Sequence, residues 1–490
     1  MPTRFQRLIQ TGLSSDGAAK ATYSLAALQA LTVVSKYVNF FRIKYPEGSW
    51  HTVFPSTLAV IEAPTGSGKN SIYNFYQSTI FRQTFDYLES CLVVEAKKLV
   101  KEEEARLEKL LEEEMVGKSE ADRTKLASKY KRFLEKFEMS VRDPVLDHWD
   151  DGSYEGFAKQ RAFMAKLPIG SKTIRSNEFG DRIRQMKNNT HLVSMFARFF
   201  ELIDDDKLMA KYIKDKEGTT EGSGGLATTL LLTYAPMDRN SRETVKGYIS
   251  QSIGRRGFLL RETNESISFF DHPPYDPEEV EALECEIRGL TDELEKRVSS
   301  IVPISEEAKR WHGDYTKRYK EAMNQIYKGR SPSERKDMDL CILQDKDRKV
   351  LKLAVLLAVF NHGEEDFQVL VADMEEAQRF VEQFVDNAQS FFDMTAYSET
   401  NSVIAYITDQ GEDWVSARAL YEAGLFKEVR RDNFQTSITE IMLRDISASA
   451  SLKGLKVIHE VRNRQDLFKL VPLSYDDSAE QLLNHLINEK

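Results

Sequence analysis

Apolar positions lay out the elements of this chain before any motif does. In Leu25-Ala26-Ala27-Leu28-Gln29-Ala30-Leu31-Thr32-Val33-Val34 they recur at helical spacing among good helix formers, so residues 20–46 should hold a helix packed beside a core. Leu58 to Ile61 is a short continuous apolar run, the pattern of a strand buried on both faces of a parallel sheet. From about Phe81 to Phe137, Leu88, Leu92, Leu99, Leu107, Leu110 and Leu111 form a stripe among charged residues. Gly117-Lys118-Ser119 reads as a turn, and Leu126, Tyr130, Phe133, Leu134 and Phe137 face back on the return. That pattern predicts an antiparallel helical hairpin, either a solvated spacer or a lever or docking arm for another protein. Leu192 to Phe200 reads as helix, and Ala227 to Ala235 as a strand stopped by Pro236.

The later chain is helical and then mixed. His272-Pro273-Pro274-Tyr275-Asp276-Pro277 reads as a rigid linker. Amphipathic helices are expected over 278–330, and strongly apolar helical segments over 337–362 and 366–396, together a helical collar. Residues 400–475 read as a winged helix. A helix at Val403–Ile407 precedes Trp414-Val415-Ser416, a second helix near Ala417–Ala423 and a third from about Arg431 to Asp445. Strands at Leu455–Val461 and Leu467–Val471 follow, joined through Asn463-Arg464-Gln465-Asp466. Arg430, Arg431, Asn433, Gln435 and Thr436 open the third helix, where a recognition helix meets DNA, and Arg462 and Arg464 stand on the wing. Acidic neighbours nearly balance these charges, so the module reads as a DNA-binding or a protein-docking unit.

The chemistry is concentrated after the first strand. Ala63-Pro64-Thr65-Gly66-Ser67-Gly68-Lys69-Asn70 approximates G-x-x-x-x-G-K-[ST]. Gly66 and Gly68 let the backbone curl so that its N–H groups meet phosphate oxygens, Lys69 offers a mobile cation, and Ser71 opens a helix whose dipole faces the same anion. Ala63 replaces the first glycine. Asn70 replaces the hydroxyl residue that normally holds Mg²⁺, a role its amide oxygen can also fill.

A P-loop enzyme also needs a carboxylate that orients water. Ser176-Asn177-Glu178 offers Glu178 as that base and Asn177 in the Mg²⁺-linked position, after a strand interrupted by Lys172 and Arg175. Thr233 lies near the carboxyl end of the later strand, where a phosphate sensor would stand. Arg255 and Arg256, on a glycine-flanked turn expected to be exposed, suit an arginine finger reaching a neighbour's phosphate. The polar, glycine-rich stretch from Lys214 to Gly225 reads as a mobile loop or connector, with Lys214 and Lys216 as its cations.

Composition narrows the classes. The 490 residues imply two to four units, 41% hydrophobic content suffices for real cores, and no apolar run reaches the roughly 18 residues needed to span a bilayer. Met1 to Leu8 lacks the apolar core of a signal peptide. Cys91, Cys285 and Cys341 are far apart and the eight histidines do not cluster, which favours reduced thiols in a cytoplasm and speaks against a zinc site. A net charge of −10 confines any nucleic-acid contact to local patches.

In order, Ala63–Asn70, Asp151–Phe157, Ser176–Asp181, Leu230–Pro236 and Gly254–Arg261 resemble a family of phage and mobile-element P-loop ATPases described as helicase-like or primase-associated. The resemblance covers about residues 20–395, and the phosphate loop is its specific part. It implies ATP binding and a place in DNA replication. The asparagines at 70 and 177 depart from the family's Ser/Thr and Asp, which bears on hydrolysis more than on binding.

The expected architecture is an α/β P-loop NTPase core (RecA/AAA-like parallel sheet) with a helical hairpin insertion, a helical collar and a C-terminal winged helix. Its bounds are an N-terminal helical segment at 1–50, the core at 51–271 with the hairpin at 80–140, helices at 278–396, the winged helix at 400–475 and a tail at 476–490. The expected activity is an ATP- and Mg²⁺-dependent DNA helicase or replication motor, assembled as a ring of identical chains in the cytoplasm of a host cell, without a membrane. The alternative is a non-hydrolysing, nucleotide-gated DNA-binding or scaffold protein. A coiled-coil chromosome-type ATPase would need a transporter-like signature, for which Ser223-Gly224-Gly225 is too bare.

Overall fold

The computed structural model describes residues 2–15, 18–47, 51–141, 154–186, 190–203, 226–235, 256–262, 272, 274–328, 345–392, 403–411, 414–423, 425, 431–432, 435–436, 443, 446–447, 450, 455–462 and 465–472. They fall into two compact units, Met1–Ser305 with Lys352–Asp373, and Glu306–Leu351 with Met374–Lys490. None of their helices is long and apolar enough to cross a membrane.

The first unit starts with α1 (Arg4–Leu13) and α2 (Tyr23–Phe40), followed by the small antiparallel pair β1 (Tyr45–Glu47) and β2 (His51–Val53). Its centre is a four-stranded, all-parallel sheet in the order β4-β5-β3-β6, made of β3 (Leu58–Glu62), β4 (Lys172–Ser176), β5 (Thr228–Tyr234) and β6 (Phe258–Arg261). β3 and β5 are buried along their whole length, as continuous apolar runs require. β4 is equally buried, although Lys172 and Arg175 were expected to interrupt it. Both cations are held: Lys172 Nζ donates to Gln160 Oε1 at 2.8 Å, and Arg175 is bonded at the strand's carboxyl end.

α2 is the core helix of this unit. It is buried on every side from Leu25 to Phe40, so it behaves as an all-round apolar helix. Each fully buried leucine there stabilises by about 1.5–3 kcal/mol. Its polar residues point to the sheet and the glycine-rich loop after β3: Ser35 Oγ lies 3.0 Å from Thr229 Oγ1, and Gln29 donates to the Lys69 carbonyl. α1 is joined to α9 (Pro277–Glu295) by Arg7, which pairs with Glu279 and Glu286 at 2.7 Å each, and by Arg4, which pairs with Glu286 at 3.0 Å. The residues at 1–50 are therefore integral to the core rather than a separate segment.

After α3 (Ser71–Phe75) the chain makes a π-turn at Tyr76–Ile80, and Phe81 has φ −98° and ψ 3°. The hairpin follows, as α4 (Arg82–Met115) and α5 (Glu120–Val141), with Gly117 at φ +75° in its turn. Phe85, Leu88 and Leu92 are buried at its base, and Leu107 and Leu126 are buried farther out. The Glu95–Lys98 and Glu103–Arg106 pairs lie one helical turn apart on its surface and contribute a few tenths of a kcal/mol each. α6 (Tyr154–Met164), α7 (Phe179–Met186) and α8 (Thr190–Glu201) complete the described helices of the core. Asp151–Ser153 and the Lys214–Gly225 stretch, with Lys214 and Lys216, lie outside the described residues.

The single helical domain expected over 278–396 is divided between the units. α9 and residues 352–373 belong to the first, α10 (Glu306–Tyr327) and residues 374–396 to the second. The turn between α11 (Lys346–His362) and α12 (Val371–Phe392) is fastened within the first unit. His362 Nε2 lies 3.0 Å from the Asp373 carboxylate, and its Nδ1 2.9 Å from the Asp366 carbonyl oxygen. The bond to Asp373 is the main cause that raises the His362 pKa above its ordinary 6.5. The extra stability is therefore complete below about pH 6.5 and fades as pH rises through the raised folded value. Denaturant unfolding of the wild type between about pH 5 and pH 9 should show this decline, and His362→Gln should flatten it. A wild-type profile that rises over the same range would contradict the assignment.

In the second unit, α10 carries the stacked rings of Trp311 and Tyr315, 5.4 Å apart, and buried Lys346 is paired with Glu382. A C-terminal cluster packs α13 (residues 403–409), β7 (Val415–Ser416) and α14 (Ala417–Glu422) around Ile404, Ile407, Leu420, Ile446 and Phe468. β10 (Leu455–Arg462) and β11 (Gln465–Pro472) form an antiparallel hairpin, and β11 also pairs with β7. The turn is shorter than expected, since Gln465 and Asp466 already belong to β11. The third helix does not start at Arg431. Arg431–Asp432 and Gln435–Thr436 are instead two short paired strands, β8 and β9, and helix is described only at Leu443, Ile446, Ser447 and Ala450.

Candidate nucleotide site

The parallel sheet brings the carboxyl ends of β3, β4, β5 and β6 to one edge, the usual ligand edge of such sheets. The Ala63 N–H donates to the Tyr234 carbonyl oxygen at 3.0 Å, so the loop leaves β3 still attached to β5. Gly66 and Gly68 have φ of +82° and +83°, a left-handed conformation that other residues resist. Thr65, Gly66 and Ser71 are exposed, Pro64 and Ser67 are buried, and Lys69 and Asn70 are half-buried. The Ile72 and Asn74 N–H groups bond the carbonyls of Gly68 and Asn70 at 3.0 Å, so the helical ladder begins inside the loop. The first N–H groups of that ladder have no partner within the helix and suit an anion.

Lys69 Nζ donates to the Ala63 carbonyl oxygen at 2.7 Å, which closes the loop on itself. Burial lowers the lysine pKa, and the nearby Glu178 carboxylate opposes that shift. Lys69 and Glu178, 109 positions apart in the chain, are thus electrostatic neighbours across the site. Glu178 is exposed on the turn after β4 and its carbonyl accepts from the Asp181 N–H at 3.0 Å.

Ser67 Oγ and Asn70 Oδ1 are buried and have no hydrogen-bond partner among the described residues. Other buried polar atoms of the described residues share this condition, but these two lie in the glycine-rich loop beside Lys69 in the chain, where such oxygens could hold a metal-bound polyphosphate. Among the described residues no group of three or more His, Cys, Asp or Glu could hold a metal ion. Mg²⁺ held by phosphates and one or two protein oxygens needs no such cage.

Three of the expected site positions have contacts or settings of their own. Asn177 Oδ1, expected in the Mg²⁺-linked position, accepts from Arg175 Nε at 3.0 Å, so in this structure that oxygen is engaged by a guanidinium. Thr233, expected as a phosphate sensor, is fully buried and donates toward the Asn177 carbonyl oxygen at 3.4 Å, so it braces the turn that leads to Glu178. Arg256 is half-buried just before β6, and Gly257 is buried with a would-be Cβ 2.9 Å from Leu58, so the expected exposed turn is closed at this point. Arg255 lies outside the described residues.

The DNA-contact candidates that are described lie on the C-terminal strands. Arg462 is stacked over Trp414 at 5.0 Å and paired with Glu460 at 2.5 Å, Arg431 and Gln435 lie on β8 and β9, and Arg430, Asn433 and Arg464 lie outside the described residues.

Sequence reading gave no site role to five residues of this edge. Arg175 Nη1 donates to Asn74 Oδ1 at 3.0 Å, and its guanidinium lies 4.4 Å from the Tyr73 ring centroid. Glu62, at the end of β3, is buried and ion-paired with Arg261 at 3.4 Å. The visible signal was a charged residue inside an apolar strand, which carries weight only when its partner is known. No family model matches the chain, and no curated protein matches it.

Proposed function

We propose that the chain is a P-loop ATPase that works as a DNA motor of the replication-helicase kind, of phage or mobile-element type and assembled as a ring. The observation that carries this reading is the loop after β3, where Gly66 and Gly68 hold positive φ on either side of Ser67 and the partnerless Ser67 Oγ and Asn70 Oδ1 flank Lys69 in the chain. In this reading the loop backbone and Lys69 bind the β- and γ-phosphates. Ser67 and Asn70 would hold Mg²⁺ together with the phosphates, and the ion supplies charge neutralisation on the transferred group. Glu178 takes the proton of the attacking water, and Arg255 is the cation offered to the site of a neighbouring copy.

The C-terminal cluster is read as a winged helix. Its order of helix, short strand, helix, short strand pair, helical residues and hairpin, with β7 pairing to β11, supports that reading. Its role is to meet DNA.

The second reading, a nucleotide-gated DNA-binding or scaffold protein without hydrolysis, is favoured by the loss of the Asn177 oxygen to Arg175. ATP turnover with and without single-stranded DNA, with particle images with and without ATP, separates them. The motor reading expects DNA-stimulated turnover and nucleotide-dependent rings. Tight ATP binding without turnover selects the second reading, and a monomer indifferent to adenine nucleotides removes both.

A further inference from the structure

We propose that Arg175 is the positioning residue that sets Glu178 against the phosphate loop, by bridging the helix after that loop to the turn that carries the glutamate. The inference rests on the nucleotide reading for its consequence, although the linkage itself does not.

Arg175 sits near the carboxyl end of β4 and is only 4% exposed. A guanidinium stays charged in proteins, and burying it is costly unless its N–H groups are bonded. Here two of them diverge to two neutral amide oxygens. Nε reaches Asn177 Oδ1 and Nη1 reaches Asn74 Oδ1, both at 3.0 Å, while the flat face rests on Tyr73. Asn74 and Tyr73 belong to α3, whose ladder begins at the loop glycine Gly68. Asn177 is the residue before Glu178, and its carbonyl is braced by Thr233 from β5.

The Glu178 turn is therefore fastened twice, once to the neighbouring strand and once, through Arg175, to the helix that starts at the phosphate loop. Only arginine offers two donors at a fixed angle for such a bridge; a lysine keeps the charge but cannot hold both acceptors in one geometry. The position of a general base matters steeply, and a displacement of about 1 Å can cost on the order of 10²-fold in rate. A change at the loop that moves α3 is passed through Asn74 and Arg175 to the base.

Asn74 provides the cleaner test, because it is exposed and its truncation leaves the core intact. In the full-length protein, Asn74→Ala should lower kcat for ATP by about 10- to 100-fold with KM and Tm nearly unchanged. Asn74→Asp, which restores an acceptor, should recover kcat to within about threefold of wild type. Arg175→Lys should behave like Asn74→Ala. An Asn74→Ala enzyme with wild-type kcat, or one changed only in KM, overturns the positioning role, as does an Asn74→Asp enzyme no better than Asn74→Ala. Amide hydrogen exchange in the nucleotide-free protein decides the linkage without any turnover: Asn74→Ala should speed exchange over residues 177–182, and unchanged exchange there overturns it. Wild-type turnover is scored separately, so a chain that never hydrolyses ATP refutes the motor reading while the exchange result still stands for or against the bridge.

Discussion

Lys69→Ala should abolish ATP binding in the working range and reduce kcat/KM by about 10²- to 10³-fold, the usual effect of deleting one charge-stabilising donor from a preorganised site. Two features make the effect large. Lys69 is half-buried, so its charge acts in a weaker dielectric than water, and it already spans the loop through its bond to the Ala63 carbonyl. Removing it also leaves Glu178 facing the phosphates without its neighbouring cation. Isothermal titration with ATP and its Mg²⁺ complex, alongside a turnover assay, measures both parts. The fold should survive, because the lysine contributes no apolar packing to the core. If turnover is unchanged in a folded Lys69→Ala protein, the P-loop assignment fails.

Glu178→Gln should separate binding from chemistry. The substitution keeps size and hydrogen-bonding shape but removes the base, so nucleotide affinity should persist or rise while kcat falls by about 10²- to 10⁴-fold. The rise follows from losing a negative charge that faces the phosphates. Glu178 is exposed, so no buried partner is stranded and the Tm should move little. Equal affinity with equal turnover would place the base elsewhere, and the acidic groups left at this edge, such as Glu62 and Glu262, are buried.

The site was legible in the chain where one short stretch does one job. Gly66, Gly68 and Lys69 are contiguous, so spacing alone reveals them, and the apolar runs at Leu58 and Leu230 give their strands directly. The hairpin and the β10–β11 ladder were legible for the same reason, since both are built from local periodicity. Arg175 was not. In a linear reading it counts against its strand, because its partners Asn74 and Tyr73 lie about 100 positions earlier and only the folded sheet brings them close. The bond to Asn177 was hidden for the same cause, since the guanidinium that engages its oxygen was read as an interruption. At Arg431 the helical pattern was misleading in another way. Asp432 is a poor helix former, and it ends one short strand and pairs with Gln435 on the next instead of entering a helix. The helices after residue 277 were visible as helices, but nothing in their spacing tells that Glu279 and Glu286 are claimed by Arg7 of α1.

The π-turn at Tyr76–Ile80 connects the phosphate-loop helix end to end with α4. With 34 residues, α4 measures about 50 Å at 1.5 Å per residue, and its far end is the turn at Gly117. By simple trigonometry a rotation of about 5° at Phe81 sweeps that end through roughly 4 Å, about three-quarters of one helical pitch. An angular change at the nucleotide too small to disturb the packed sheet would thus become a stroke at the tip that a second molecule could feel.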